Sequence, residues 1–424
     1  YLLKSLSPSY GLGIDLSKEI IKEANKESKG IHFIQGDISN LAKYLPKKEN
    51  FDYIILSDTI GYIEDIQTTL ESLHEFCNKE TRIIISYYSP LWSPIFSLAT
   101  FLKFKMPEIK TQLLNLQDIK SFLKISNFDV VRVEKKILSP IKLLGIGRVL
   151  NRYFATLPIF SFFCLRQYVI ARSLDKIDKT KYNSASIIIP CKNEQGNIEA
   201  AIKRLPRFAK NMEIIFVEGN SSDQTWEKIQ TVKKKYNNKV PGFNIKSFKQ
   251  KGKGKAEAVF FGFEKASKEV LFILDADLTM PPEELPKFWN KIILGEAEYV
   301  NGTRLIYPMD NDAMRFLNYI ANKIFSILFS WILSQRYTDT LCGTKVLTKK
   351  NYEKIKLKNR DLGDFDPFGD FFIIFGSSRL CLKMCEIPIR YKAGSYGETQ
   401  ISRFSHGLML VKMVIFAFFK IKAI

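Results

Sequence analysis

Short apolar runs recur along this chain, separated by amphipathic stretches, and several of them stop on an acid or a turn residue. Residues 270–274 show the pattern most strongly: five apolar residues without interruption, followed by Asp275, Ala276 and Asp277. An unbroken apolar run suits a strand covered on both faces of a parallel sheet, and open α/β sheets bind ligands beyond the carboxyl ends of such strands. Residues two apart in extended backbone project to the same side, so both carboxylates can serve one hard divalent cation that keeps its other positions for water and phosphate oxygens. The same rhythm predicts strands at 11–15, 32–35, 53–56, 82–86 and 167–171, with helices over 17–28 and 66–76, and again strands at 185–189 and 214–217. Such alternation specifies doubly wound, parallel α/β units.

The punctuation between runs divides the chain into 1–174, a charged linker 175–183, a second unit 184–406 and a C-terminal amphipathic helix 407–424. In the first unit Asp15, Asp37 and the pair Ser57 and Asp58 close successive strands. Carboxylates placed there can accept from ribose hydroxyls or meet an adenine amino group. In the second, Pro190 halts the opening strand before Glu194, and Glu218 opens a polar turn that runs to Asp223. Gly252 and Gly254 alternate with Lys251, Lys253 and Lys255, so backbone can approach a phosphate while lysines offset its charge. Ala258, Gly262 and Ala266 form a small-residue stripe for close helix packing.

Composition narrows the classes. At 424 residues the chain holds two or three domains, and 46% hydrophobic residues exclude disorder as a global description. A formal charge of +20 points to a polyanion: nucleic acid, a nucleotide diphosphate or an anionic membrane face. The aromatics sit mostly in apolar runs such as Phe260, Phe261 and Phe263, which favours core over base stacking and makes nucleic-acid binding by degenerate nucleotide folds the weaker alternative. Six cysteines lack metal-type pairing and fit a reduced, cytoplasmic setting, while three histidines leave little room for imidazole chemistry. The apolar segments 316–333 and 407–421 are interrupted by polar residues and fall short of about 20 apolar residues. The terminal one, with Lys412 and Lys420, suits either an interfacial helix on the inner face of a membrane or a core-packed final helix. The chain starts at Tyr1 with no charged-then-apolar leader and reads as a fragment.

Over 1–174, the motifs Gly13-Ile14-Asp15, Gln35-Gly36-Asp37 and 51–58 resemble class I S-adenosylmethionine-dependent methyltransferases. The resemblance implies a Rossmann-like sheet in which Asp15 takes ribose hydroxyls, Asp37 the adenine edge, and Ser57 with Asp58 line the S-adenosylmethionine pocket. It also implies that the family's first strand and glycine-rich loop would precede Tyr1.

Seven motifs in order, at 190–194, 217–223, 252–254, 275–277, 302–304, 338–343 and 386–401, resemble family 2 glycosyltransferases of the GT-A fold, especially the dolichyl-phosphate mannose synthase type. That resemblance implies that Pro190 and Glu194 contact the nucleotide, Glu218 the base or ribose, Lys253 the diphosphate, and Asp275 with Asp277 a Mg²⁺ or Mn²⁺ ion. Arg304 would orient acceptor or diphosphate oxygens, and Asp339 is the base candidate if the acceptor is a hydroxyl. Gly394 and Gln400 depart from the expected basic residues, so Arg390, Lys392 or Arg403 would supply the phosphate-binding charge. The expected function is sugar transfer from a nucleotide-sugar donor to a polyprenyl phosphate or glycolipid acceptor, as in bacterial envelope proteins that join the two domain types. The alternative enzyme is a glycan methyltransferase with an accessory glycosyltransferase domain.

Overall fold

The computed structural model describes residues 2–27, 30–45, 49–106, 112–141, 145–179, 182–237, 243–307, 316–359, 369–392 and 403–423. The motif at 396–401, together with Gly394 and Gln400, lies outside them, as does the side chain of Arg403. Two compact units emerge, Tyr1–Ile177 and Asp178–Ile424.

In the first unit, β1 (Gly11–Asp15) pairs in parallel with β2 (Ile31–Gln35). A separate four-stranded sheet contains β3 (Phe51–Ser57), β4 (Cys77–Tyr88), β5 (Phe128–Lys136) and β6 (Arg166–Ser173) in the order β3-β4-β6-β5. β3 and β4 are parallel, as the alternation predicts, whereas β6 runs antiparallel to both neighbours. Backbone bonds from Ser89 N to Leu165 O and from Leu165 N to Ile137 O explain the reversal. The chain enters β6 at the end where β4 and β5 finish, so it can only run back. Leu56, Ile83, Ile85 and Val169 meet Leu70, Leu73, Ile119 and Leu123 from the covering helices in the core.

The second unit has one seven-stranded sheet: β7 (Ser184–Cys191), β8 (Asn211–Glu218), β9 (Phe243–Lys249), β10 (Val270–Ile273), β11 (Tyr299–Thr303), β12 (Lys345–Thr348) and β13 (Met384–Pro388). Its order is β13-β11-β12-β10-β7-β8-β9, and only β12 runs antiparallel to its neighbours. All four residues of β10 are buried, as a strand sandwiched between helical layers requires. Gly262 is part of that fit: a Cβ there would stand 2.5 Å from Ile188 Cγ2.

The helix Arg403–Ala417 and the π turn Phe418–Lys422 turn Leu410, Met413, Ala417 and Ile421 into the core beside the helix Phe316–Leu333. Leu408, Val411, Ile415 and Phe419 stay exposed on the other face. The helix thus combines the core-packed and surface roles that its sequence left open. No helix among the described residues is long and apolar enough to cross a membrane.

Candidate active site

Three loops interlock beyond the carboxyl ends of β7, β8 and β9. Gly219 N donates to Cys191 O at 2.8 Å and Gln250 N to Glu218 O at 2.9 Å. Asn193 N donates to Ser221 Oγ, Glu194 N to Thr225 Oγ1, and Ser222 N to Asn193 Oδ1. Asn193 and Asn220 hold φ of +56°, a left-handed conformation that asparagine tolerates better than most residues. Pro190 lies in register with Val217, one step before the Cys191–Glu218 pair. Glu218 is buried and accepts from Ser221 N at 2.5 Å. Its carboxylate therefore shapes the polar turn.

The loop after β10 brings the acids beside these. Leu278, bulky and at φ +54°, follows Asp277 in a backbone region that costs such a residue strain. Asp277 Oδ1 accepts from Thr279 N at 3.1 Å and Thr279 Oγ1 at 2.9 Å, while Oδ2 has no donor among the described residues. Burial first, and then the charge of Asp275, raises the Asp277 carboxyl above its ordinary value. Glu194 is pushed to about 7 by burial, with Asp277, Asp223 and Asp275 adding and the Asn197 donor opposing. Such a concentration of negative charge favours a proton or a cation.

Lys255 answers part of it. Its Nζ lies 2.5 Å from Asp275 Oδ1, and the field of Asp275, Asp370 and Asp277 outweighs the burial that would otherwise favour the neutral amine. Lys253, the expected phosphate lysine, is exposed. Gly254 explains the choice of Lys255: at φ +92° it turns the chain into the helix Lys255–Lys265, whose first residue faces the acids. Gly343 completes the enclosure, since a Cβ there would stand 1.9 Å from Asp275 Oδ2 and 2.7 Å from Lys255 Nζ.

These residues fit a hard divalent cation of the open kind. Oxygen donors of two carboxylates converge, one of them disfavoured as an anion by the other, and a backbone cradle has been kept free of side chain. No group of three or more His, Cys, Asp or Glu residues forms a metal cage among the described residues. Two carboxylates can suffice when substrate phosphates and water supply the rest, as magnesium sites commonly arrange.

Arg304 and Asp339 form a buried fork-to-fork pair at 2.7 and 2.8 Å. Asp339 also accepts from the backbone N–H groups of Arg304 and Leu341 and from Asn322 Nδ2. Burial alone would raise its carboxyl; Arg304 and the backbone donors hold it below the ordinary range. The arrangement makes Asp339 a counter-ion, with both oxygens already engaged. Glu386, at β13, fixes the same turn by accepting from Thr338 N at 2.7 Å and Asp339 N at 3.0 Å. Arg304 also stands 5.1 Å from the Tyr391 ring, and Lys392 N donates to Thr279 O at 3.0 Å, so the segment after β13 adjoins the acid loop. Arg390 and Lys392 are exposed there. Gly343 and Glu386 have no individual role legible in the sequence, and Lys255 stands there only as one of three lysines offsetting phosphate charge, with the preceding glycine its local sign.

In the first unit, Asp15 Oδ1 accepts from Ser17 N and Asp37 Oδ1 from Ser39 N, both at 2.8 Å. Each keeps a second oxygen with no donor among the described residues, which suits hydrogen bonding to ribose and adenine. Asp58 instead meets Arg166 Nη2 at 2.5 Å, and Ser57 is exposed.

Residues 186–361 match the family described as Glycosyl transferase family 2, and residues 4–134 match one described as Methyltransferase domain. Dolichol-phosphate mannosyltransferase of Pyrococcus furiosus is 39% identical over 127 residues, 28% of this chain and 34% of the relative. Undecaprenyl-phosphate 4-deoxy-4-formamido-L-arabinose transferase of Aeromonas hydrophila is 29% identical over 123 residues, 28% of this chain and 36% of that protein. A low-salt glycan biosynthesis hexosyltransferase of Haloferax volcanii is 24% identical over 235 residues, 54% of this chain and 52% of its own length. The chain thus spans from about a third to about half of these curated relatives. A crystal structure of M. tuberculosis glucosyl-3-phosphoglycerate synthase aligns with 59% of this chain and 85% of its own at 15% identity and a TM-score of 0.40. The two family matches thus fall on separate stretches of the chain, the methyltransferase match in the first unit and the family 2 glycosyltransferase match in the second.

Proposed function

We propose that the second unit of this chain, which carries the family 2 glycosyltransferase region, is a metal-dependent inverting transferase. It moves a sugar from a nucleotide donor to a polyprenyl phosphate or another membrane-associated acceptor. The observation that carries this is the ion pair of Asp275 with Lys255, with Asp277 and Glu194 in the field of Asp275, beyond the carboxyl ends of β7 and β10. Relatives named for dolichol-phosphate and undecaprenyl-phosphate transfer support the acceptor class.

A bound divalent cation would neutralise the diphosphate as it leaves the anomeric carbon. Asp275 and Asp277 would hold that cation. Lys255, ion-paired with Asp275, adds a second positive charge near the leaving group, a preorganised stabilisation of developing negative charge. The interlocked loops carrying Pro190, Glu194 and Glu218 seat the nucleoside, while Lys253, exposed at the rim, attracts the donor. Arg304, held flat by Asp339 and backed by Tyr391, presents a fixed wall to the acceptor beside Lys392. A phosphate acceptor is already an anion and needs no strong base, which agrees with an Asp339 whose oxygens are spent on Arg304. The exposed stripe of Leu408, Val411, Ile415 and Phe419 would rest against the membrane that holds the acceptor lipid. In the first unit, Asp15 and Asp37 are the groups that would hold S-adenosylmethionine.

A donor screen tests the proposal: UDP- and GDP-sugars with polyprenyl phosphate and Mg²⁺ or Mn²⁺, for the parent and Asp277→Asn. Metal-dependent glycolipid formation by the parent, abolished in a folded variant, is the expected result. Equal turnover in the variant rejects the metal assignment.

A further inference from the structure

The helix Ser93–Phe101 is rich in apolar residues, yet none of its residues is buried. The chain that follows continues the exposure, with Phe101 82%, Phe104 86% and Met106 86% accessible. Burying such rings is strongly favourable, and exposed apolar patches of this kind mark interaction sites. A second segment behaves alike: Ile146 and Val149 on the helix Ile146–Arg152, Ile159 and Phe160 on the helix Pro158–Ser161, then Phe162 and Phe163. The two segments belong to one edge of the first unit. Trp92 Nε1 donates to Phe163 O at 2.9 Å, and Ser89 N to Leu165 O at 2.8 Å.

Charge decides what covers this edge. From residue 81 to 107, and again from 135 to 174, the sequence contains no Asp or Glu. The charged residues within these segments are basic: Lys103, Lys105, Lys135, Arg148 and Arg152; Lys136, beside them, is paired with Glu134 at 3.8 Å, and Arg166 with Asp58. Lys105 Nζ lies 5.0 Å from the centre of the Phe96 ring and Lys135 Nζ 5.7 Å from that of Phe162, so two ammonium groups accompany the rings. Aromatic and aliphatic side chains bordered by an excess of positive charge complement a surface that is apolar below and anionic above. That is the headgroup boundary of an acidic bilayer. A partner protein would need an acidic rim around an apolar centre, and the acids that border the patch, Glu134 and Asp58, are already engaged by Arg132, Lys136 and Arg166, so a like copy of the chain would not offer them in return.

We infer that the first unit docks on an anionic membrane surface through Phe101, Phe104 and the 159–163 turn, with lysines and arginines at the headgroups. This contact lies outside the sugar-transfer site and does not depend on that function, so either can fail alone. The test uses the full chain and vesicles of phosphatidylcholine with or without phosphatidylglycerol, in a co-sedimentation assay. Binding to the anionic vesicles should exceed binding to neutral ones and weaken with added salt. Two double variants, Phe101→Ser with Phe104→Ser and Lys103→Glu with Lys105→Glu, should each reduce it on the order of tenfold without lowering the thermal midpoint. Leu408→Ser with Ile415→Ser, in the second unit, should leave a residual binding that the first-unit variants abolish when combined with it. Unchanged vesicle binding in both first-unit variants overturns the inference. So does a dimer of the parent, seen by light scattering, that the phenylalanine variant converts to monomer while vesicle binding persists, because the surface then serves a second copy.

Discussion

Strand β1 ends on Asp15, and the loop after β10 carries Asp275 and Asp277, but the acids of the two units live differently. Asp15 spends one oxygen on the turn that follows, whereas Asp277 is burdened by burial and by Asp275. An acid after a strand is thus a turn-former in one unit and a member of a charge cluster in the other. What separates them is the convergence of other loops: in the second unit the ends of β7, β8, β9 and β10 are tied together, while β1 and β3 belong to different sheets.

Substitutions that strip one unit's acids of their partners should sharpen this contrast. Arg304→Met should be the most damaging to stability, because it leaves Asp339 buried and unpaired; a loss of about 3–5 kcal/mol in urea unfolding is expected. Asp277→Asn should reduce sugar transfer on the order of 10²–10³-fold with no fall in melting temperature, since it removes a charge that the fold disfavours. A comparable loss of sugar transfer on Asp15→Asn would erase the distinction between the units. Gly343→Ala pushes a methyl group into Asp275; overpacking of about 1–3 kcal/mol, read by thermal unfolding, should accompany weaker donor binding.

Glu194 gives a pH signature. Its folded pKa of about 7 lies above the ordinary carboxyl value of 4.5, so its contribution to stability is complete below pH 4.5 and lost as pH rises through 7. Glu194→Gln should flatten the stability profile in that window, and an unchanged slope would assign the titration elsewhere. The smallest effect belongs to the first unit. Asp37 caps the short turn Ile38–Asn40, and Asp37→Ala should cost about 1 kcal/mol in denaturant unfolding with sugar transfer untouched.

Much of the sheet was legible because burial on two faces demands unbroken apolar runs: β7, β8 and β10 announce themselves in this way. The hidden strands are those whose polar residues find partners inside. β12 begins with Lys345, fully buried and paired with Asp370 at 2.9 Å, and β11 contains Asn301, whose amide donates to Asp339 O. Taken locally, such residues resemble loop.

The strands built on unbroken apolar runs, the acids and glycines at their ends, and the excess of positive charge were written in the sequence, because local periodicity and composition express them directly. Tertiary structure alone decided which carboxylates are spent and which still face a ligand. Arg304 meets Asp339 across 35 residues, Lys255 rather than Lys253 reaches Asp275, and Gly343 arrives from a distant turn to leave room for both. The state of an ionisable group depends on burial and on neighbours in space, and a linear chain does not specify those until it is folded.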